Sequence, residues 1–264
     1  MSGPDEALMK ETPTACPKSA AESISVFFPA YNDAETIGSL VEAALEVLPT
    51  LAEDYEVIVV NDGSADETAA VIDGLARKYP GHVRAVHHEQ NRGYGGALRT
   101  GFETAAKDLI FYTDGDGQYD VRELARLRPL LVEGVDIANG YKLKRADTKH
   151  RQVIGAIYNQ VARFLFRLPV RDVDCDFRLM RRSAVRGVEL VSSSGVICVE
   201  MVRKLHAAGG VFAEAPVHHY PRPHGRSQFF TLGRVARTCL DFLALWLELF
   251  VLRSHAQDRR RALK

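Results

Sequence analysis

The chain has 264 residues, which is long enough for one α/β domain with a substantial core. Hydrophobic residues make up 46% and charged residues 26%, and this composition excludes a disordered or membrane-embedded chain. Lysine plus arginine and aspartate plus glutamate number 34 each, so no net charge favours nucleic acid as a partner.

The ends of the chain and the cysteines suggest no processing or disulfide framework. Residues 1–22 lack both periodicity and the apolar run of a signal peptide, so we expect a disordered leader, and residues 253–264 form a basic tail. No stretch reaches the roughly 18 to 20 apolar residues of a membrane span. The four cysteines are not spaced as a zinc site or a disulfide framework, so we expect free thiols.

Strand and helix patterns alternate five times in the first half of the chain. Buried strands are predicted at 25–28, 56–60, 83–86, 109–112 and 136–138, and helices at 34–48, 65–79, 95–106 and 121–133. Ser64 and Glu67 have the spacing of a capping box for the second of these helices. The alternation predicts an α/β fold with a mostly parallel sheet that helices cover on both faces.

Beyond about Gly140 helical patterns dominate. Helices are predicted at 152–166, 183–190, 199–208 and 232–252, with one late strand at 211–217. The sequence contains no internal repeat and no interdomain linker. We therefore expect a single domain over residues 23–252, with a helical C-terminal part.

Three predicted strands end in polar residues that permit tight turns. In a doubly wound sheet, ligands bind outside the carboxyl ends of the strands. One Asp-Gly after a strand is usually only a turn, but three polar segments at one edge predict a shared crevice. These segments are 29–33 (Pro-Ala-Tyr-Asn-Asp), 61–64 (Asn-Asp-Gly-Ser) and 114–118 (Asp-Gly-Asp-Gly-Gln).

The third segment carries two carboxylates that face the same way if the backbone is extended. Asp114 and Asp116, with the amide oxygen of Gln118, would offer the hard oxygen ligands that Mg²⁺ or Mn²⁺ prefers. A solvated acidic loop is the alternative. The nearby glycines at 93–96 make a poor dinucleotide fingerprint and indicate a close-approach turn before a helix, where Arg92 contacts a phosphate or solvent.

Eight motifs together resemble family 2 glycosyltransferases of the GT-A fold. The second half resembles the branch of dolichol-phosphate mannose synthases and polyprenyl-phosphate glycosyltransferases, and the resemblance extends over about residues 23–251. The motifs of the first half are 29–33, 61–64, 91–95 and 114–118, and those of the second half are 172–179, Glu200, 214–217 and 222–227.

The resemblance implies an inverting, metal-dependent transfer of a hexose to a polyprenyl or dolichyl phosphate. The donor would be a nucleotide diphosphate sugar of the GDP-mannose or UDP-glucose type, bound by residues 23–140, and the acceptor would be bound by residues 141–252. The implied location is the cytoplasmic face of a membrane, with peripheral contact and a Mg²⁺ or Mn²⁺ cofactor.

The same resemblance assigns roles to individual residues. The expected donor-binding residues are Pro29, Tyr31, Asp33, Asp62, Gln118, Arg222 and Ser227, to which we add Arg92 and Gly93 from the glycine-rich turn. The expected metal ligands are Asp114, Asp116 and Gln118, and the expected acceptor-binding residues are Lys142 and Arg151. Two departures from the family pattern are Asp176, where glycine is common, and Gln228, where lysine is common.

The nature of the acceptor decides which catalytic groups are needed. A phosphate oxygen is already ionised, so positioning and charge neutralisation suffice, with Asp114 and Asp116 acting through the metal and Arg151 through its own positive charge. A hydroxyl acceptor would need a carboxylate base within hydrogen-bond reach, for which Asp174 and Asp176, like Asp172, are candidates. A glycosyltransferase acting on a hydroxyl of a small metabolite is therefore the main alternative.

Two segments bear on a lipid acceptor. Five of the ten residues at 142–151 are lysine or arginine, which indicates either a solvated face or a receptor for an anionic acceptor. The last predicted helix has apolar residues along one side, which indicates core packing or an interfacial helix. These residues are Leu240, Leu243, Leu247, Phe250 and Val251.

Two further classes fit the sequence less well. A nucleotidyltransferase would want a glycine-rich basic loop directly after the first strand, where this chain has 29–33 instead. A sugar-nucleotide binder without activity would not need the acidic motif. The histidine pairs at 87–88 and 218–219 could each offer one metal ligand at most, because neighbours in a strand point to opposite faces.

Overall fold

The computed structural model describes residues 22–143, 149–223 and 232–252. The predictions for residues 1–21 and 253–264 fall outside these ranges. Glu22, assigned above to the leader, contacts Arg128 and Arg181 and so belongs to the described domain.

Seven strands form one sheet in the described part of the chain, in the order β3-β2-β1-β4-β6-β5-β7. β6 pairs antiparallel with β4 and β5, and the other pairings are parallel. The mostly parallel sheet is thus confirmed, and its strands come from both halves of the chain. They are β1 Ile24–Ala30, β2 Tyr55–Asn61, β3 Val83–His87, β4 Leu109–Thr113, β5 Ile137–Lys142, β6 Phe177–Arg181 and β7 Phe212–Val217.

Helices lie on both faces of the sheet because alternate strand residues are buried in opposite directions. Val26 and Phe28 of β1 pack in one core cluster with Ile37, whereas Phe27 packs in a second cluster with Leu98. The last helix ends in a π-helical segment, Leu247–Leu252. The α-helices are α1 Ala34–Leu51, α2 Thr68–Lys78, α3 Tyr94–Thr104, α4 Leu124–Leu127, α5 Lys149–Phe166, α6 Arg182–Val185, α7 Ile197–Ala207 and α8 Leu232–Trp246.

A third apolar cluster lies beside the sheet, between α5, α7 and α8. The rings of Phe166 in α5 and Phe242 in α8 meet edge to face, with centroids 4.9 Å apart. Val199 of α7 and Leu245 of α8 are buried in the same cluster. Across the described ranges, no helix is both long enough and apolar enough to cross a membrane.

Three local predictions were wrong. The helix predicted at 121–133 is instead α4 between two 3₁₀ turns, because Pro129 lacks the N–H that a continuing helix needs. The helix predicted at 183–190 ends with α6, ahead of Gly187 at φ 86°. β6 was missed altogether, since a run of five residues with two arginines does not suggest a buried strand.

The predicted capping box of α2 was also wrong. The Ser64 hydroxyl accepts a hydrogen bond from the Asn32 amide at 3.0 Å rather than capping the helix. α2 begins later, at Thr68, whose amide donates to Asp66 Oδ1 at 3.0 Å. Ser64 therefore ties the loop after β2 to the loop after β1.

Candidate active site

A cavity of about 590 Å³ lies at the carboxyl ends of β1, β2 and β4. These three strands are parallel neighbours, so their ends meet at one edge of the sheet, where the strand order reverses. Both halves of the chain line the cavity. The lining residues of the first half are Pro29, Ala30, Tyr31, Asp33, Asp62, Asn91, Arg92, Gly93, Tyr94, Ala97 and Asp114 to Asp116, and those of the second are Ser193, Ser194, Gly195, Arg222, Arg237, Thr238 and Asp241.

The loop after β1 turns sharply into α1. Asn32 has a left-handed backbone with φ 58°, and its side-chain oxygen accepts from the Ala65 amide at 2.9 Å. Asp33 accepts from the Tyr31 amide at 2.9 Å through Oδ2. Burial raises the pKa of Asp33 to about 6, and the neighbouring Asp116 carboxylate adds to the increase.

Asp62, at the end of β2, organises the glycine-rich turn. Its Oδ1 lies 2.7 Å from Nδ1 of the buried His88 and accepts from the Arg92 amide at 2.8 Å. His88 Nε2 lies 2.9 Å from the Thr100 hydroxyl, so this histidine has partners on both nitrogens. The carboxylate of Asp62 thus holds Arg92 at the cavity wall.

The glycines of the turn allow two backbones to approach closely, as the sequence indicated. A Cβ at Gly95 would lie 2.0 Å from the Ser192 carbonyl oxygen, and a Cβ at Gly93 would lie 2.6 Å from that of Ser193. The Gly95 amide donates to the Ser193 carbonyl at 2.9 Å. This contact brings residues 193–195 to the cavity.

The acidic pair after β4 lies at the cavity floor. Asp114 Oδ1 accepts from the Tyr94 hydroxyl at 2.7 Å, and Asp116 Oδ1 accepts from the Gln118 amide at 3.0 Å. Burial raises the pKa of Asp114 well above its usual range, and the Asp176 and Asp116 carboxylates add to the increase. Burial also raises the pKa of Asp116, although Arg222 opposes the effect.

Arg222 supplies the positive charge opposite the acidic pair. Its Nη2 donates to Asp116 Oδ2 at 2.5 Å, and its Nη1 lies 3.9 Å from Asp33 Oδ1. Arg222 Nε is buried and has no hydrogen-bond partner within the described residues. An arginine with an unused donor in a cavity fits an anionic ligand such as a diphosphate.

The residues fit a divalent cation that takes most of its ligands from a substrate. Within residues 22–143, 149–223 and 232–252, no three histidine, cysteine, aspartate or glutamate side chains are grouped to hold a metal. Asp114 and Asp116 together supply hard oxygen atoms, and a cation would stabilise the ionised form of both carboxyls, whose pKa values are raised chiefly by burial. Mg²⁺ characteristically binds through one or two carboxylates plus substrate phosphates and water.

Gln118 does not reach the cavity with its side chain. Its Nε2 donates to the Tyr220 carbonyl at 3.1 Å, and the Tyr220 amide donates back to the Gln118 carbonyl at 2.8 Å. The Gln118 side chain thus contacts Tyr220, while its backbone amide contacts Asp116 Oδ1, and its role as a metal ligand stays a prediction. Its observed contacts tie the acidic loop to the strand-end segment that carries Arg222.

The predicted acceptor and base residues lie beside the cavity rather than in its wall. Lys142 has a side chain only 6% exposed, and its Nζ donates to the Asp174 carbonyl and lies 3.7 Å from Asp172 Oδ2. Asp176 Oδ1 lies 3.1 Å from Nη1 of the buried Arg178. Neither Lys142, Asp174 nor Asp176 lines the cavity. The Arg151 side chain and Ser227 lie outside the described part of the structure.

Two parts of the wall were missed by sequence analysis. Residues 193–195 follow a loop that buried Glu200 holds by accepting from the amides of Val191 and Ser192 at 3.0 and 2.8 Å. Glu200 also pairs with Lys204 at 2.5 Å. The other part belongs to α8 and comprises Arg237, Thr238 and Asp241. Their spacing of i, i+1 and i+4 on a largely apolar helix could have indicated that one side of this helix faces a polar environment.

The sheet order, the crevice at the strand switch point and the paired carboxylates define an α/β protein with a ligand crevice at the carboxyl ends of its strands. The model of the glycosyl transferase family 2 matches residues 25–188. The chain belongs to this family, as the motifs indicated.

Curated relatives match most of this chain but are themselves longer. Undecaprenyl-phosphate 4-deoxy-4-formamido-L-arabinose transferase of Enterobacter sp. (strain 638) is 29% identical over 214 residues, which cover 80% of this chain and 63% of that protein. Glycosyltransferase AglD of Haloferax volcanii is 33% identical over 217 residues, which cover 79% of this chain and 35% of that protein. The chain therefore spans less than two thirds of these relatives.

Solved structures confirm the GT-A fold. Glucosyl-3-phosphoglycerate synthase from Mycobacterium tuberculosis in complex with phosphoglyceric acid superposes with a TM-score of 0.67 at 18% identity, covering 87% of this chain and 80% of that one. The same enzyme with Mn²⁺, UDP and phosphoglyceric acid gives a TM-score of 0.65 at 20% identity, covering 87% and 78%. The fold accordingly covers nearly the whole described chain.

Proposed function

We propose that this protein transfers a sugar from a nucleotide diphosphate sugar to a polyprenyl phosphate at the cytoplasmic face of a membrane. The observation that carries the proposal is the pair of carboxylates Asp114 and Asp116, which line one cavity together with Arg222. Such a site suits a diphosphate bound together with a divalent cation. Family membership and the names of the relatives point to the same chemistry.

The donor would lie along the strand ends. The nucleoside would fit the end of the cavity formed by Pro29, Tyr31, Asp33 and Asp62, while the diphosphate would lie beside Asp114 and the contact between Asp116 and Arg222. A divalent cation held by Asp114 and Asp116 would offset the negative charge of the diphosphate as it leaves. Arg222 would use its unpartnered Nε and its exposed edge for the diphosphate oxygens.

The transfer is one displacement at the anomeric carbon. An oxygen of the acceptor phosphate donates an electron pair to this carbon, while the bond to the donor diphosphate breaks and its electrons leave with the nucleoside diphosphate. The configuration inverts because attack and departure occur on opposite sides. No proton has to be removed from an ionised phosphate, so the chain's task is to position both substrates and neutralise charge.

An apolar face beside the cavity supports a lipid acceptor. On α5 this face includes Ile157 at 60% and Phe164 at 80% exposure, and on the adjacent α8 it includes Leu240 at 68%. α8 lines the cavity with other residues, so the apolar face and the reaction cavity adjoin. The residues of this apolar face are Val153, Ile154, Ile157, Val161, Phe164, Leu240, Leu243 and Leu247.

The occupant we propose for the apolar face is the surface of a lipid bilayer. A contiguous exposed apolar patch marks an interaction site, and an amphipathic helix lying in the membrane plane buries such a face among the headgroups. A phosphate linked to a polyprenyl chain could then enter the cavity while the chain stays in the membrane.

The transfer assay tests the proposed reaction directly. Purified protein is incubated with Mn²⁺, polyprenyl phosphate and radiolabelled UDP- and GDP-sugars, and label is counted in the organic phase. We expect label from one donor and none in excess chelator. Label only in a water-soluble product would overturn the lipid acceptor, and released pyrophosphate from a nucleoside triphosphate would overturn the glycosyltransferase.

Liposome flotation tests the apolar face separately. We expect Ile157→Asn combined with Phe164→Ser to reduce binding to anionic vesicles by about tenfold or more, because two exposed apolar side chains no longer enter the bilayer. Val132, which is 57% exposed and lies outside the apolar face, provides the control substitution Val132→Asn. Equal flotation of both variants would remove the membrane assignment.

A further inference from the structure

The final helix divides its surface among three environments. Phe242 and Leu245 pack into the cluster with α5 and α7, while Leu240 and Leu243 belong to the exposed apolar face. The remaining side of α8 carries polar residues that line the reaction cavity, namely Arg237, Thr238 and Asp241. A charged and hydroxylated side on an otherwise apolar helix points to a polar ligand in that part of the cavity.

The loop at residues 193–195, which lines the same cavity, holds an unused polar group. Ser194 Oγ is buried and has no hydrogen-bond partner in the part of the chain described here. Ser194 also lines the cavity, next to Ser193 and Gly195. Buried hydroxyls are normally paired, and leaving one unpaired costs about 1 to 3 kcal/mol. A ligand hydroxyl would satisfy it.

Backbone contacts locate this wall relative to the acidic pair. Ser193 accepts a hydrogen bond from the Gly95 amide, and the adjacent Tyr94 donates its hydroxyl to Asp114 at 2.7 Å. The wall of residues 193–195 therefore adjoins the carboxylates that would hold the diphosphate. The group attached directly to that diphosphate in a nucleotide sugar is the sugar itself.

We propose that Thr238 and Asp241 of α8, together with Ser194, bind the hydroxyl groups of the transferred sugar and determine which sugar is accepted. This assignment rests on the proposed function. A carboxylate can accept from two neighbouring hydroxyls, and serine and threonine can each donate and accept. A site built to hydrogen-bond a substrate hydroxyl strongly rejects analogues that lack or misplace it.

The test compares binding of nucleoside diphosphates with binding of their sugar conjugates. Calorimetry with Mn²⁺ measures Kd for UDP, GDP, UDP-glucose, UDP-galactose, GDP-mannose and GDP-glucose, which include two pairs of epimers. The variants are Asp241→Asn and Ser194→Ala. The matched control is Glu248→Gln, which makes the same charge change in the terminal π-helical segment and does not line the cavity.

We expect the wild type to prefer one sugar among the conjugates of the nucleotide it binds. Asp241→Asn should reduce this preference by about 10- to 100-fold, the usual effect of losing a hydrogen bond to a charged group. Affinity for the bare nucleoside diphosphate should stay unchanged, and Glu248→Gln should behave as wild type. Ser194→Ala should reduce the preference less, because its hydroxyl is neutral.

The outcomes separate this inference from the function on which it rests. A wild type that binds none of the nucleotides overturns the proposed function. If the wild type binds a nucleotide, and if Asp241→Asn has the same sugar preference as Glu248→Gln, only the proposed sugar-binding role of Ser194, Thr238 and Asp241 is overturned. An equal loss of affinity for the nucleoside diphosphate and for its sugar conjugates in Asp241→Asn also overturns this role, since Asp241 would then not contact the sugar.

Discussion

The two halves of the chain bring their residues to the cavity by different means. In the first half, Asp62 and Asp114 directly follow β2 and β4, so the parallel sheet alone sets them at one edge, on either side of β1. In the second half, Ser194 and Asp241 come from a loop and a helix that reach the cavity only through packing against α3, α5 and α7. The donor part of the site is thus defined by local sequence, whereas the opposite wall depends on distant contacts.

The largest effect should follow from changing the first half. We expect Asp116→Asn to lower the transfer rate by about 10³-fold or more, because charge stabilisation on the leaving diphosphate is lost. The rate of label transfer measures this, and circular dichroism checks that the fold is intact. The control is the exposed Glu133→Gln. Transfer by Asp116→Asn at the wild-type rate would remove the acidic pair from the mechanism.

A smaller effect should follow from disturbing the contact between the halves. We expect Gly95→Ala to destabilise the protein by about 1 to 3 kcal/mol, because its Cβ would meet the Ser192 carbonyl at 2.0 Å. Gly74→Ala in α2 is the matched control, since its Cβ meets nothing within 4 Å and should stabilise the helix by up to about 1 kcal/mol.

Chemical denaturation of both glycine variants measures the free energy of unfolding. The Gly95→Ala variant should also lose selectivity among sugars, since residues 193–195 move with the displaced backbone. Equal stability of the two variants would show that the halves do not meet as closely as described.

The smallest effect that we expect is on the pH dependence of the free energy of unfolding, through Glu200, which holds the loop that carries Ser194. Burial alone would raise the pKa of Glu200, but hydrogen bonds from Lys204 and the Ser192 amide outweigh it and lower the pKa below 4.5. A lowered pKa in the folded state means that this carboxylate stabilises the fold above its unfolded pKa. The stabilisation is then lost as the pH falls through the folded value.

We therefore expect wild type to lose more unfolding free energy than Glu200→Gln between about pH 6 and pH 3. Denaturant titrations at each pH measure the difference. Glu56→Gln, another carboxylate that accepts a backbone amide, at 2.9 Å from Ala106, serves as a comparison outside the cavity. Parallel curves for wild type and Glu200→Gln would contradict the stabilising role of the ionised Glu200.

Much of the fold was predictable because the spacing of apolar residues along the sequence indicates which residues are buried. The strands β1, β2 and β4 read as apolar runs because both of their faces are covered. β6 was not predictable, since Arg178 is fully buried within it and needs distant partners such as Asn139 in addition to the nearby Asp176. The prediction of a capping box at Ser64 was wrong for a similar reason. The Ser64 hydroxyl accepts a hydrogen bond from the amide of Asn32, which lies in another loop.

The sequence by itself determined the parallel sheet, the polar strand ends and the acidic pair, because neighbouring residues and their spacing are sufficient for each. Tertiary structure alone decided that Gln118 contacts Tyr220 and that Lys142 is buried against Asp172 and Asp174. It also decided that α8 lines the cavity. The physical reason is that these contacts form between residues far apart in the chain. The local sequence pattern indicates which residues are buried, but it does not indicate which distant residues they contact.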